Sequence, residues 1–207
     1  MEILIVAKTH MAHSSCVGGL ELITKTNVRL LNSDGENQPK ENEFEVGQIW
    51  DIKYSPRTNT IAPHIEDIII ENKRFIRTQP ALNTFLRNNA SVWSGPPENI
   101  FQGKLHFETG HSGYATQQIG TPDQSVGFWL PDTELELTIL DDRRHFYYFD
   151  MLQGPRIYAF PYVGFAPIVE KIPLGNLVRV SLARWWSPDP ENRERRCYCQ
   201  LSGWYAD

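Results

Sequence analysis

Apolar positions in this chain recur at every second residue more often than at every third or fourth. Leu177–Trp186 shows this best. Val178, Val180 and Leu182 fall on one side of an extended chain, and Arg179, Ser181, Ala183 and Trp185 on the other. Arg195–Tyr205 repeats the pattern, with Cys197, Cys199 and Leu201 opposed to Tyr198, Gln200, Ser202 and Trp204. Successive strand side chains point to opposite faces, so each run predicts a strand with one apolar face. Residues 187–194 between them are polar and broken by Pro188 and Pro190, and read as their connection. Earlier in the chain, Glu2–Lys8, Leu20–Leu31, Phe44–Tyr54 and Ile68–Ile70 read as strands, and the small, polar Thr9–Gly19 as a loop. Gly103–Glu108, Val126–Trp129 and Glu134–Leu140 are strand-like too. The aromatic runs Arg143–Met151 and Ile157–Ile168 follow, with Pro161 and Pro167 marking edges or bends. One segment, Pro80–Asn88, carries a helical pattern: Thr78 stands where a cap would, and Leu82, Phe85 and Leu86 share a face over about three turns. Many short strands and a single short helix predict an all-β protein built as small barrels or a sandwich. Ser94–Pro97 is the natural break, dividing the chain into 1–94 and 98–207.

The length, 207 residues, suits one large domain or two small ones. Apolar residues at 41% supply a core, and 22% charged residues argue against wholesale disorder. The net charge of −5 counts against coating nucleic acid by bulk attraction. Residues 176–205 run against that total, with five arginines facing Asp189, Glu191 and Glu194, so a local basic face is compatible with the acidic whole. Three cysteines make no disulfide framework and fit a reducing, cytoplasmic setting. The opening apolar run is too short for a secretory signal, and none approaches the ~18 residues of a membrane helix.

Candidate chemistry is concentrated on the second faces of the last two strands. Arg179, Trp185, Arg196, Tyr198, Gln200 and Trp204 combine flat rings, guanidinium groups and an amide, with Arg184, Arg193 and Arg195 near the connection. Single-stranded nucleic acid stacks on such rings and pairs with such cations. The same rings could instead pack under a neighbouring loop or anchor a protein partner. Lys8, His10 and His13 are placed to shape a pocket mouth, where a small nucleotide could be sensed. His10, His13 and Cys16 lack a fourth ligand at matching spacing, and Cys197 with Cys199 lacks a second pair, so neither metal nor cofactor is expected. His64 and Glu66 would share a strand face and, with Asp67, make the best acid–base cluster. A turn or strand-edge hydrogen-bonding role fits these residues better. No phosphate loop or nucleophile elbow occurs, and the chain reads as non-catalytic.

Five short stretches together resemble the prokaryotic dual OB-containing domain family. They are Ile3–Thr9, Cys16–Gly19, Pro63–Asp67, Arg184–Trp186 and Leu201–Tyr205, and the resemblance spans essentially the whole chain. It implies two OB barrels in tandem and a link to bacterial systems that counter invading DNA. It carries over no catalytic residues. The reading that follows is a single-stranded nucleic-acid-binding module of a prokaryotic defence machine. A protein–protein adaptor and a small-nucleotide sensor are the alternatives.

Overall fold

The structure, a computed structural model, describes residues 1–140, 142–150, 156–187 and 194–207. Residues 188–193 of the expected connection, Arg193 among them, and Met151 of the first aromatic run lie outside these.

Residues 3–7 form an unbroken apolar run because their strand is buried on both faces. Strand β1 (Glu2–His10) turns Ile3 and Ile5 into one apolar cluster and Leu4 and Val6 into another. It pairs antiparallel with β2 (Ser14–Glu21) and with β5 (Gln48–Pro56). β3 (Asn27–Leu31) continues from β2 and lies parallel to β6 (Asp67–Thr78), which returns to β5. The circuit β1-β2-β3-β6-β5-β1 is a closed five-stranded barrel, with β4 (Gln38–Pro39) beside β2. The expected loop Thr9–Gly19 is therefore mostly strand. Only residues 11–13 turn the chain, because Thr9 and His10 pair with Cys16 and Ser15. The expected strand Leu20–Leu31 is likewise broken by a turn between β2 and β3, where Lys25 adopts positive φ.

Helix α1 (Leu82–Asn89) has about two turns rather than three. Thr78 does not cap it, because Thr78 is the last residue of β6 and pairs with Gln48; the N-cap is Ala81, at φ 50°. The apolar face is as expected, with Leu82, Phe85 and Leu86 in one cluster.

Beyond the helix the chain builds two more sheets. β12 (Arg156–Pro161), β11 (Arg143–Asp150), β10 (Leu135–Leu140) and β13 (Lys171–Ile172) form one. β7 (Val92–Ser94), β9 (Val126–Leu130), β14 (Val178–Leu182), β15 (Arg196–Trp204) and β8 (Tyr114–Thr116) form the other. Helical turns at Pro97–Gly103 precede β8, and of the expected strand Gly103–Glu108 only His106 makes a bridge, to Tyr114. Between the sheets lies a core that includes Trp129, Phe146, Phe160, Val178, Val180, Leu182, Cys197, Cys199 and Leu201. The two strands at the end pair antiparallel, and their six predicted core residues are buried together.

A bulge separates those strands from a strict alternation. Val180 faces Leu201 but Arg179 faces Gly203, which leaves Ser202 as the extra residue. One extra residue exchanges the faces of everything beyond it. Trp204 thus lies opposite Val178 and packs on the core, instead of sharing a face with Tyr198 and Gln200. Tyr205 turns the other way and donates its hydroxyl to the Val6 carbonyl at 2.5 Å.

Candidate nucleic-acid interface and inter-barrel cavity

The last hairpin does not present its six candidate residues as one platform. Trp185 and Trp204 are half-buried against the second core, and their indole N–H groups donate to the carbonyls of Ala62 (2.8 Å) and Pro167 (3.0 Å). Arg179 and Gln200 face the first barrel. Arg196 and Tyr198 lie on a third surface. There the Arg196 guanidinium sits 4.1 Å from the Tyr114 ring centre, and Tyr198 stands between Tyr114 (5.6 Å) and Trp186 (6.1 Å). Trp186, 57% exposed, is the open ring of that row. Arg196 also donates to Glu194, at 2.8 and 2.9 Å.

The pocket-mouth candidates separate as well. His10 stacks on Phe165 at 3.8 Å and lines a cavity between the barrels. Burial, with Lys40 and Arg144 nearby, lowers its pKa. Lys8 turns away and is buried. Its ammonium donates to the Phe44 carbonyl (3.0 Å) and to Glu45 (3.1 Å), closing one end of the first barrel. His13 lines a neighbouring open groove.

That groove, of about 540 Å³, runs along the β2–β3 face beside the turn at 11–13. Arg29, Arg57 and Arg184 converge here on one carboxylate. Arg29 donates to both Asp67 oxygens, at 2.5 and 2.6 Å, while Arg57 and Arg184 each stand 3.5 Å from Oδ2. Asp67 is almost wholly buried, whereas Arg57 and Arg184 are about half exposed. Three guanidinium groups against Asp67 and Glu36, which also lines the groove, leave one positive charge in surplus, on a chain whose total is −5.

The groove shares Met11, Arg29 and Arg184 with the inter-barrel cavity, which encloses about 330 Å³. One wall comes from β2, β3 and the segment leading into β6, the other from β14, β15 and the start of β9. The acid–base cluster expected at His64 and Glu66 is divided among separate partners. His64 Nε2 lies 3.1 Å from the Leu182 carbonyl. Burial outweighs that bond and lowers the imidazole pKa, so the ring is neutral, with its proton on the nitrogen facing the carbonyl. Glu66 accepts from the Ser125 backbone N–H and, at 2.8 Å, from its hydroxyl. Arg179 is 4% exposed. Its Nη1 donates to Ser202 Oγ at 3.2 Å, and among the described residues no carboxylate pairs with it. The buried thiols are remote from ionisation, burial pushing Cys197 up to about 12 and Cys199 higher still.

Arg29, Arg57 and Asp67 were not singled out for binding by sequence pattern. A signal was present: Val28-Arg29-Leu30 and Val178-Arg179-Val180 each place an arginine between two apolar strand residues. Among the described residues no helix is long and apolar enough to cross a membrane, and no three His, Cys, Asp or Glu side chains converge as metal ligands.

Two solved structures match this chain weakly. One is a murine DNA-binding protein bound to double-stranded DNA, at 10% identity and a TM-score of 0.31, covering 99% of this chain and 95% of that one. The other is a HINa domain in complex with 20-bp double-stranded DNA, at 10% identity and 0.30, covering 98% and 95%. No curated protein matches. The family model of the dual OB-containing domain matches residues 1–204.

Proposed function

The chain belongs to the dual OB-containing domain family, and from that premise we propose that it is a non-catalytic module that binds single-stranded nucleic acid. The observation that carries this is the arginine-rich groove on the β2–β3 face of the first barrel. OB barrels take oligonucleotides on the face of their second and third strands, between the loop joining strands one and two and the loop joining four and five. Here those loops are residues 11–13 and the stretch between β5 and β6, and Arg57 lies in the latter. Arg57 and Arg184, about half exposed, supply phosphate contacts, and Trp186, on the separate row beside Tyr198, offers an exposed ring for a base farther along the strand. The acidic whole restricts binding to this face. Service in a prokaryotic defence machine is part of the proposal and rests on the resemblance of the five sequence stretches.

Fluorescence anisotropy of the full chain against a mixed-sequence single strand and the matching duplex, at two salt concentrations, tests the proposal. The single strand should bind more tightly, and its affinity should fall with salt. Arg57→Ala and Arg184→Ala should each reduce the slope of log K against log salt by about 0.7, one phosphate contact apiece. Both changes leave the Arg29–Asp67 pair in place. Trp186→Ala should cost roughly 1–3 kcal/mol of binding. Flat titrations at low salt would remove nucleic-acid binding in favour of the adaptor reading, in which the row around Trp186 anchors a protein.

A further inference from the structure

We infer that the cavity between the barrels is a binding site for a compact molecule of mononucleotide size that carries an oxyanion, held by Arg179. The inference goes beyond strand binding in the groove and does not depend on it. A guanidinium cannot shed its charge, and burying one without a carboxylate is costly. Arg179 is in that position: 4% exposed, with Ser202 Oγ on Nη1 and no acceptor on Nε. The other arginine of the cavity wall that lies within a strand, Arg29, is fully matched by Asp67. The environment of Arg179 therefore calls for an anion from outside the chain.

The surroundings define its companion groups. The guanidinium lies over Gly18. A Cβ there would come within 2.7 Å of Nη2, and only a residue without a side chain lets the fork rest on the β2 backbone. Val126 and Val163 give the cavity apolar wall for a flat ring. The volume, about 330 Å³, is near the lower end of small-molecule pockets. It fits one nucleotide and not a folded strand. A nucleoside monophosphate meets all these demands, and it could arrive free or as the 5′-phosphorylated end of a strand lying in the adjoining groove.

Calorimetric titration of the full chain separates the possibilities. The probes are AMP, CMP, the two parent nucleosides, inorganic phosphate alone, and a dinucleotide with or without a 5′-phosphate. A monophosphate should bind, and its nucleoside should be weaker by roughly tenfold or more once the Arg179 contact is absent. Gly18→Ala displaces only the far end of a flexible side chain. It should weaken monophosphate binding by a similar factor while the melting temperature is nearly unchanged. Arg179→Lys keeps the charge without the fork and should also weaken binding, which serves if Gly18→Ala misfolds. A preference for the 5′-phosphorylated dinucleotide over AMP and CMP would identify a strand end as the source, and the reverse a free nucleotide. Absence of binding by every probe at millimolar concentration would overturn the inference, as would unaltered binding in both variants. Arg57 does not line the cavity, so a null result for Arg57→Ala with oligonucleotide leaves this test unaffected.

Discussion

The same residue type has opposite surroundings at Arg29 and Arg179. Arg29 spends its fork on Asp67, and the pair draws in Arg57 and Arg184. Arg179 has a serine and a glycine backbone. Sequence pattern placed Arg179 on the non-core face of its strand, which is correct, but read that face as open surface. Alternation of V-R-V-S-L distinguishes two faces; it does not say whether the polar one meets water or another barrel. His64 makes a related point with a measurable consequence. Burial lowers its folded-state pKa below the ordinary 6.5, so the unfolded chain takes up a proton the folded chain refuses. Its effect on stability is nil above about pH 6.5, and stability falls as the pH drops from there towards the folded-state value. His10, whose pKa is also lowered, adds to the wild-type slope. The test is therefore the difference between wild type and His64→Gln in urea midpoints from pH 8 to 5: the variant should lose less stability on acidification. Parallel curves would contradict a buried neutral imidazole.

At the scale of the element, the pairing of β14 with β15 and their buried apolar face were legible, because period-two patterning over five or more residues has few other solutions. The bulge at Ser202 was not legible. Ser202 and Gly203 are ordinary strand-end residues, and the shift exists only in the register against Arg179. Its effect is testable at Trp204. An outward ring could be removed almost without cost, whereas a ring packed beside Val178 cannot. Trp204→Ala should destabilise the protein by about 2 kcal/mol in urea denaturation, below the figure for a fully buried tryptophan. A change within error would restore the unbulged alternation. The helix was legible in its apolar face and misjudged at its start, because the pattern cannot show that Thr78 is already committed to β6. The β1–β2 turn was misjudged for a similar reason: small polar residues read as loop, yet Cys16 and Gly18 are strand residues whose small size makes room for the cavity.

Across the whole molecule, each half has a core of its own, and a third apolar cluster joins them. Leu4, Val6, Leu20 and Ile49 of the first barrel share one apolar cluster with Leu86 of the helix and with Phe128, Leu177 and Tyr205 of the second half. Backbone bonds cross the same boundary, from His10 N–H to Val163 O (3.0 Å) and from Phe165 N–H to Lys8 O (2.9 Å). Exposing that cluster would strip apolar area from both partners at once, so the chain should unfold in a single transition, with tryptophan fluorescence and far-ultraviolet dichroism coincident. Two resolved transitions would show that the barrels stand alone. The order of strands could not be read ahead, since it depends on contacts between residues far apart in sequence, such as Tyr205 and Val6. β14 has a further consequence. Its five residues are all buried, with Val178, Val180 and Leu182 in the second core and Arg179 and Ser181 at the cavity. Drift in this segment is therefore governed by two interleaved alphabets. Even positions can exchange only shape for shape, odd positions only polarity for polarity, and a change of partner could be written at the odd letters while the even ones keep the fold.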